Sequence, residues 1–309
     1  MSSKANFIQR LAFIKYLYNR ANEQSRFPEP FCSLAVLWYH DAVELFLGLV
    51  AERVDAKIGS NIGFMDYFDA IAQAPQPIVL SQKSAMTRLN KARVTLKHYG
   101  VRPIREDINS LRIGVGDFLE ENTTTVFKHT FSRISLADMI LNTEVKDLLK
   151  QAETYLEDGH PRRSIDRAYS ALESLLVGFE RNRSKESEFR HIGFRSRAPS
   201  VSRSGGSKQF ANDQIRELQQ LSNYVSELSD AVTLIGWGID YRKYSKFLFH
   251  HLRSQVSDSL SLFADEEGHS IPKPDYHADA QFCIDFVIES ALVLQDFELS
   301  MTGNATGNA

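Results

Sequence analysis

The chain has 309 residues, 43% hydrophobic and 24% charged, the composition of a soluble globular protein with room for two ordinary cores. Its formal net charge of -3 gives no global reason to expect nucleic acid. Two cysteines, Cys32 and Cys283, stand far apart in apolar runs, which excludes a disulfide framework or a cysteine metal site and fits a reducing compartment. The N-terminus MSSKANFIQR lacks the apolar core of a signal peptide, and no run is read as approaching the ~18 apolar residues of a membrane helix. A cytoplasmic protein without membrane contact is expected.

In chain order the pattern is helical almost throughout. Phe7, Leu11, Ile14 and Tyr18 recur at helical spacing and give one apolar face to a first helix near 4–25. After RFPEP comes FCSLAVLWYHDAVELFLGLVAERV, apolar on nearly all sides, as expected for the central helix of a bundle. A short helix near 64–73 ends at the prolines at 75 and 77. Ser81 is then expected to N-cap a fourth helix, and Pro103 to open a fifth over 104–121, closed by ENTTTVF. Within TTTVFKHTF a short extended piece is the one alternative to helix. The result is an N-terminal helical bundle over 1–141.

A second helical set is predicted over 142–300, beginning with TEVKDLLKQAETYLED and, after Gly159 to Pro161, SIDRAYSALESLLVGF. It resumes with NDQIRELQQLSNYVSELSDAVTLIGWGI, where Ile215, Leu218, Tyr224, Val225, Leu228 and Val232 keep a helical rhythm. Two further segments near 244–263 and 276–299 flank the loop DEEGHSIPKP, and 301–309 reads as a disordered tail. The class is all-α.

Between these parts lies RNRSKESEFRHIGFRSRAPSVSRSGGSK, residues 181–208, with eight Lys or Arg against Glu186 and Glu188. It is either a solvated loop or a phosphate-binding arm for RNA or another polyanion, with Arg181, Arg183, Arg190, Arg195, Arg197 and Arg203 as its contacts. Phe189 and Phe194 are the only rings in it to stack on a base, so sequence-specific reading is not supported.

Several chemistries lack their residues. No HExxH, CxxC pair, GxSxG elbow or P-loop occurs, and SGGSK lacks both P-loop spacing and a preceding strand. The Glu-x-x-His pairs Glu188/His191 and Glu266/His269 fall in loop-like segments, unlike the inward ligands of a di-iron bundle. His40 and Glu44, at i and i+4 on the second helix, read as a buried polar pair more readily than as a metal site. Neither a metal nor a cofactor is expected.

What remains is NKARVTLKHYGVRP, residues 90–103. Lys97, His98, Gly100 and Pro103 are the ingredients of a helix stop: cations in the last turn, a left-handed glycine, then proline. That leaves Arg93 unexplained. At about 100° per residue, Ala85, Leu89, Ala92, Leu96 and Tyr99 form the core stripe and Arg93 lies at its edge. Thr87, Val94 and His98 share the opposite side, either a plain exposed face or one that meets another protomer across a polar groove.

The R-x4-H element from Arg93 to His98, following a long apolar helix containing HDAVELFLGL, resembles the HEPN superfamily (higher eukaryotes and prokaryotes nucleotide-binding) over roughly residues 30–121. RAYSALESLLVGF and FCIDFVIESALVLQDFEL have the general look of HEPN helices too, without a second R-x4-H. The resemblance implies a metal-independent endoribonuclease, a toxin or effector in microbial defence, whose composite site forms across a homodimer. It implies proton transfer at His98 and phosphorane stabilisation by Arg93, supported by Asn90 and Lys97. Active members usually carry a polar residue directly after the arginine, where this chain has Val94. The alternative is a non-catalytic HEPN-like adaptor or sensor that binds nucleic acid or a partner protein of a defence system.

Overall fold

The computed structural model describes residues 3–186, 210–255 and 275–305. Among these residues the protein is all-α, with ten α-helices and no strand. The chain divides into two compact units, Met1–Met139 and Ile140–Ala309.

In the first unit α1 (Ser3–Ser25) and α2 (Ala35–Arg53) are followed by the short α3 (Asp66–Ala72), α4 (Lys83–Tyr99) and α5 (Arg105–Phe127). Burial follows the apolar pattern. Val36, Tyr39, Val43, Phe46, Leu47 and Val50 of α2 are all 0% exposed, packed against α1, α3, α4 and α5. The stretch Phe31–Arg53 is in fact long and apolar enough to cross a membrane, with a mean hydropathy of 1.5, contrary to the expectation that no such run exists. Of that window 61% is buried inside the fold, most of its apolar residues forming the core of the unit while Trp38 and Leu45 are exposed. Gly114 of α5 lets α4 approach closely, since a Cβ there would stand 3.0 Å from that of Ala85.

Three local expectations are corrected. Ser81 does not cap α4: the cap position is Gln82, left-handed at φ 58° with no side-chain cap bond. Asn122 of α5 engages Ser81 instead, its Oδ1 accepting from the Ser81 amide and its Nδ2 donating to Ser81 Oγ. ENTTTVF does not close α5 but belongs to it, so TTTVFKHTF begins helical rather than extended. Thr124 and Thr125 tolerate this because their hydroxyls donate to carbonyls one turn back, and the helix stops at Lys128 in the left-handed conformation.

The second unit comprises α6 (Thr143–Glu157), α7 (Pro161–Glu186), α8 (Phe210–Gly236), α9 (Tyr241–Gln255) and α10 (Tyr276–Ala305). Asn142 caps α6, its side chain accepting from the Val145 amide, and Pro161 opens α7 where its missing N–H costs nothing. Ile165, Ala168, Leu172, Leu175, Leu176 and Phe179 of α7 are buried, as are Ile284, Val287, Ala291 and Leu294 of α10. Two boundaries move. α7 runs through Glu186, so residues 181–186 of the basic stretch are helical, and α10 runs to Ala305, into what the sequence suggested was a disordered tail.

Candidate functional site

The end of α4 is the helix stop its sequence describes. Gly100 sits at φ 66° and its amide donates to the Leu96 carbonyl, with Lys97 and His98 in the last turn. The core stripe is shorter than expected: Ala85, Met86 and Leu89 are buried, Ala92 and Leu96 pack partly, and Tyr99 points outward at 76% exposed. Met86, outside the expected stripe, is fully buried.

On another side of α4, Asn90, Arg93 and Lys97 line up within about 60° of one another and approach His40 of α2. The His40 side chain is only 3% exposed, its ring stacked on Phe64 with centroids 4.3 Å apart. Its Nε2 lies 3.3 Å from Asn90 Oδ1. Since an amide oxygen only accepts, the bonded tautomer carries its proton on Nε2. Nδ1 is then a lone pair, buried and without a hydrogen-bond partner, 3.6 Å from Glu44 Oε2 and 4.0 Å from Asp41 Oδ1. Burial holds His40 below the ordinary histidine value, and Arg93 pushes it the same way more than Lys97 does, while Asn90 and Asp41 oppose them. The ring is therefore neutral at pH 7.

His40, Asp41 and Glu44 place three ligand atoms within 4.8 Å of one another. Arg93 and Lys97 supply positive charge to the same spot, which disfavours a bare divalent cation there. Neither of these two cations forms an ion pair among the described residues.

The structure thus groups Arg93, Asn90 and Lys97 around His40. It leaves His98 exposed on the last turn, about 140° around the helix from Arg93. Val94, between the two sides, is half-buried. Of the basic stretch, Arg181 is an exposed side chain of α7 and Arg183 lies on the same helix. Arg190, Arg195, Arg197 and Arg203 lie outside the described residues, as do the two Glu-x-x-His pairs.

Sequence reasoning missed a polar network in the second unit. His250 Nδ1 is 3.2 Å from Asp279 Oδ1, and Arg253 binds the other oxygen of the same carboxylate. His251 stacks on Tyr169 at 3.7 Å and faces Asp166 at 3.6 Å, which also accepts from Gln255. Arg162 donates to the Tyr276 hydroxyl. These contacts join α7, α9 and α10. Burial lowers both histidines and pushes the Cys283 thiol up to about 12, so the thiol beside the network is no nucleophile at neutral pH. The only signal in the sequence was the run HHLR, whose carboxylate partners stand 26 and 85 positions away.

Compared with known proteins, the chain matches no protein family, no curated protein and no solved structure.

Proposed function

We propose that the protein acts on RNA through the polar face of α4, cleaving the RNA backbone without a metal ion, as an effector of microbial defence of the kind the HEPN resemblance implies. The observation that supports this is the row Asn90, Arg93 and Lys97, two of them cations without an ion pair among the described residues, beside a histidine held neutral. An arginine fork matches the extra negative charge of a phosphorane, and Lys97 adds attraction for the chain of phosphates. Attack by the RNA's own 2′-hydroxyl needs a proton acceptor and a donor near neutrality, the role of His98 at the exposed helix end. Because Arg93 and His98 diverge on one helix, the composite site takes the arginine of one copy with the histidine of a second. In the alternative, suggested by Val94 after Arg93, the same row binds RNA or a partner protein without cleaving.

The test is single-stranded RNA incubated with the purified protein in EDTA. Cleavage should occur and should disappear in Arg93→Ala and His98→Ala while their circular dichroism matches the parent. Intact RNA with the parent protein, retained by a gel shift that Arg93→Ala abolishes, would select the binding reading. Cleavage undiminished in either variant would end the assignment.

A further inference from the structure

One helix face in the second unit is turned the wrong way for a core. Leu218, Leu221, Tyr224, Val225, Leu228, Val232 and Ile235 of α8 are all between 49% and 70% exposed. On the neighbouring side of the helix, next to Leu218, the residues Ser222, Ser226, Ser229 and Thr233 are partly sheltered. The helix is not loosely attached at its C-terminal end: Leu234 and Trp237 are buried there, and Trp237 meets Phe179 of α7 edge-on at 5.0 Å. Its apolar side is thus displayed from an anchored base.

The spacing on that side suits a second helix of the same kind. From Leu218 the apolar residues fall at 221, 225, 228, 232 and 235, steps of three and four in strict alternation over two and a half heptads, the spacing of a coiled-coil seam. The first position of each heptad holds Leu218, Val225 and Val232, and the fourth holds Leu221, Leu228 and Ile235. The middle heptad, Val225 with Leu228, has the β-branched first position and leucine fourth position that favour two parallel strands. The flanking positions suit self-pairing as well. In a parallel pair Glu217 and Tyr224 flank the seam on one side and Ser222 and Ser229 on the other, so no like charges meet. The seven side chains offer on the order of 800 Å² per copy, what one partner contributes to a stable specific interface.

We propose that α8 pairs with α8 of a second copy as a parallel two-stranded coiled coil over Leu218–Ile235. This pairing goes beyond the RNA reading and does not depend on it. Light scattering behind size exclusion should give the full-length protein twice its chain mass at micromolar concentration. Val225→Lys with Leu228→Lys should give the single-chain mass with unchanged helical content. Leu228→Cys should form an inter-chain disulfide on mild oxidation, because the fourth-position side chains of a parallel seam meet their own equivalents and the native cysteines are buried. A single-chain mass for the parent protein overturns the proposal, and so does a dimer that survives the double lysine variant. A dimer in which Leu228→Cys fails to cross-link overturns the parallel register. Arg93→Ala should remain dimeric, so a loss of RNA cleavage in that variant is not a loss of pairing.

Discussion

α4 and α8 each carry a side that their own unit does not use, and the two sides differ in kind. On α4 the unused side is polar and cationic, with Asn90, Arg93 and Lys97 grouped around a buried imidazole. On α8 it is a seam of leucine, valine and isoleucine. Arg93 and Lys97 have no ion pair among the described residues, and an exposed apolar stripe forgoes burial worth about 25 cal/mol for each Å² left wet. On the two proposals above, a polyanion would compensate the first face and a second apolar helix the other. α2 supplies the contrast, since most of its apolar residues are buried inside its own unit, Trp38 and Leu45 excepted.

That contrast can be broken at α2 first, where the effect is largest. Phe46, fully buried with its ring edge-on to Phe118 at 5.5 Å, should cost about 3–5 kcal/mol when cut to alanine, read as a lower denaturation midpoint in urea. A matching loss from Leu228→Lys in α8, measured at a protein concentration low enough to keep the parent single, would erase the distinction between consumed and spare faces. At higher concentration the double lysine variant in α8 should weaken pairing by about a hundredfold or more, since it places two charges in the seam of each chain.

Smaller effects sharpen the α4 side. The pKa of His40 is depressed in the folded chain relative to the ordinary 6.5, so below that value the unfolded chain binds the proton more readily. Its contribution to stability is complete above 6.5 and is lost as the pH falls toward the folded value. His40→Gln should flatten the acid side of a stability-versus-pH curve, and only in part, because His250 and His251 are depressed by burial as well. A curve identical to the parent's would mean that His40 does not titrate with folding. The smallest effect is the most local: Arg93→Met should raise the His40 pKa seen by NMR titration, since Arg93 is the largest charge acting to lower it. An unmoved value would separate Arg93 from the His40 group.

Much of this was legible in the sequence where the cause is local. The helix stop at Gly100 needs only cations, a residue free to go left-handed and a nearby proline, and all are adjacent. The burial of α2 follows from a helix with no polar side wide enough to face water. What escaped reading depends on distant residues. Ser81 looks like a cap until Asn122, 41 positions on, takes both its amide and its hydroxyl. Asn90 was a polar neighbour of Arg93 in the sequence, and only the packing of α4 on α2 makes it the partner of His40, 50 positions earlier. On α8 the rhythm was visible but its direction was not, because periodicity states that a face is apolar and says nothing about what will cover it. The same limit hid Asp279 and Asp166 from His250 and His251.

The central claim is that the spare cationic face of α4 acts on RNA. Its most direct measurement is cleavage of a labelled single-stranded RNA in EDTA by the parent protein and by Arg93→Ala, side by side. The account predicts cleavage by the parent and a drop of about a hundredfold or more in the variant, the scale of removing one charge-stabilising group from a transition state. Equal rates for the two proteins, or RNA neither cut nor bound by the parent, would contradict it.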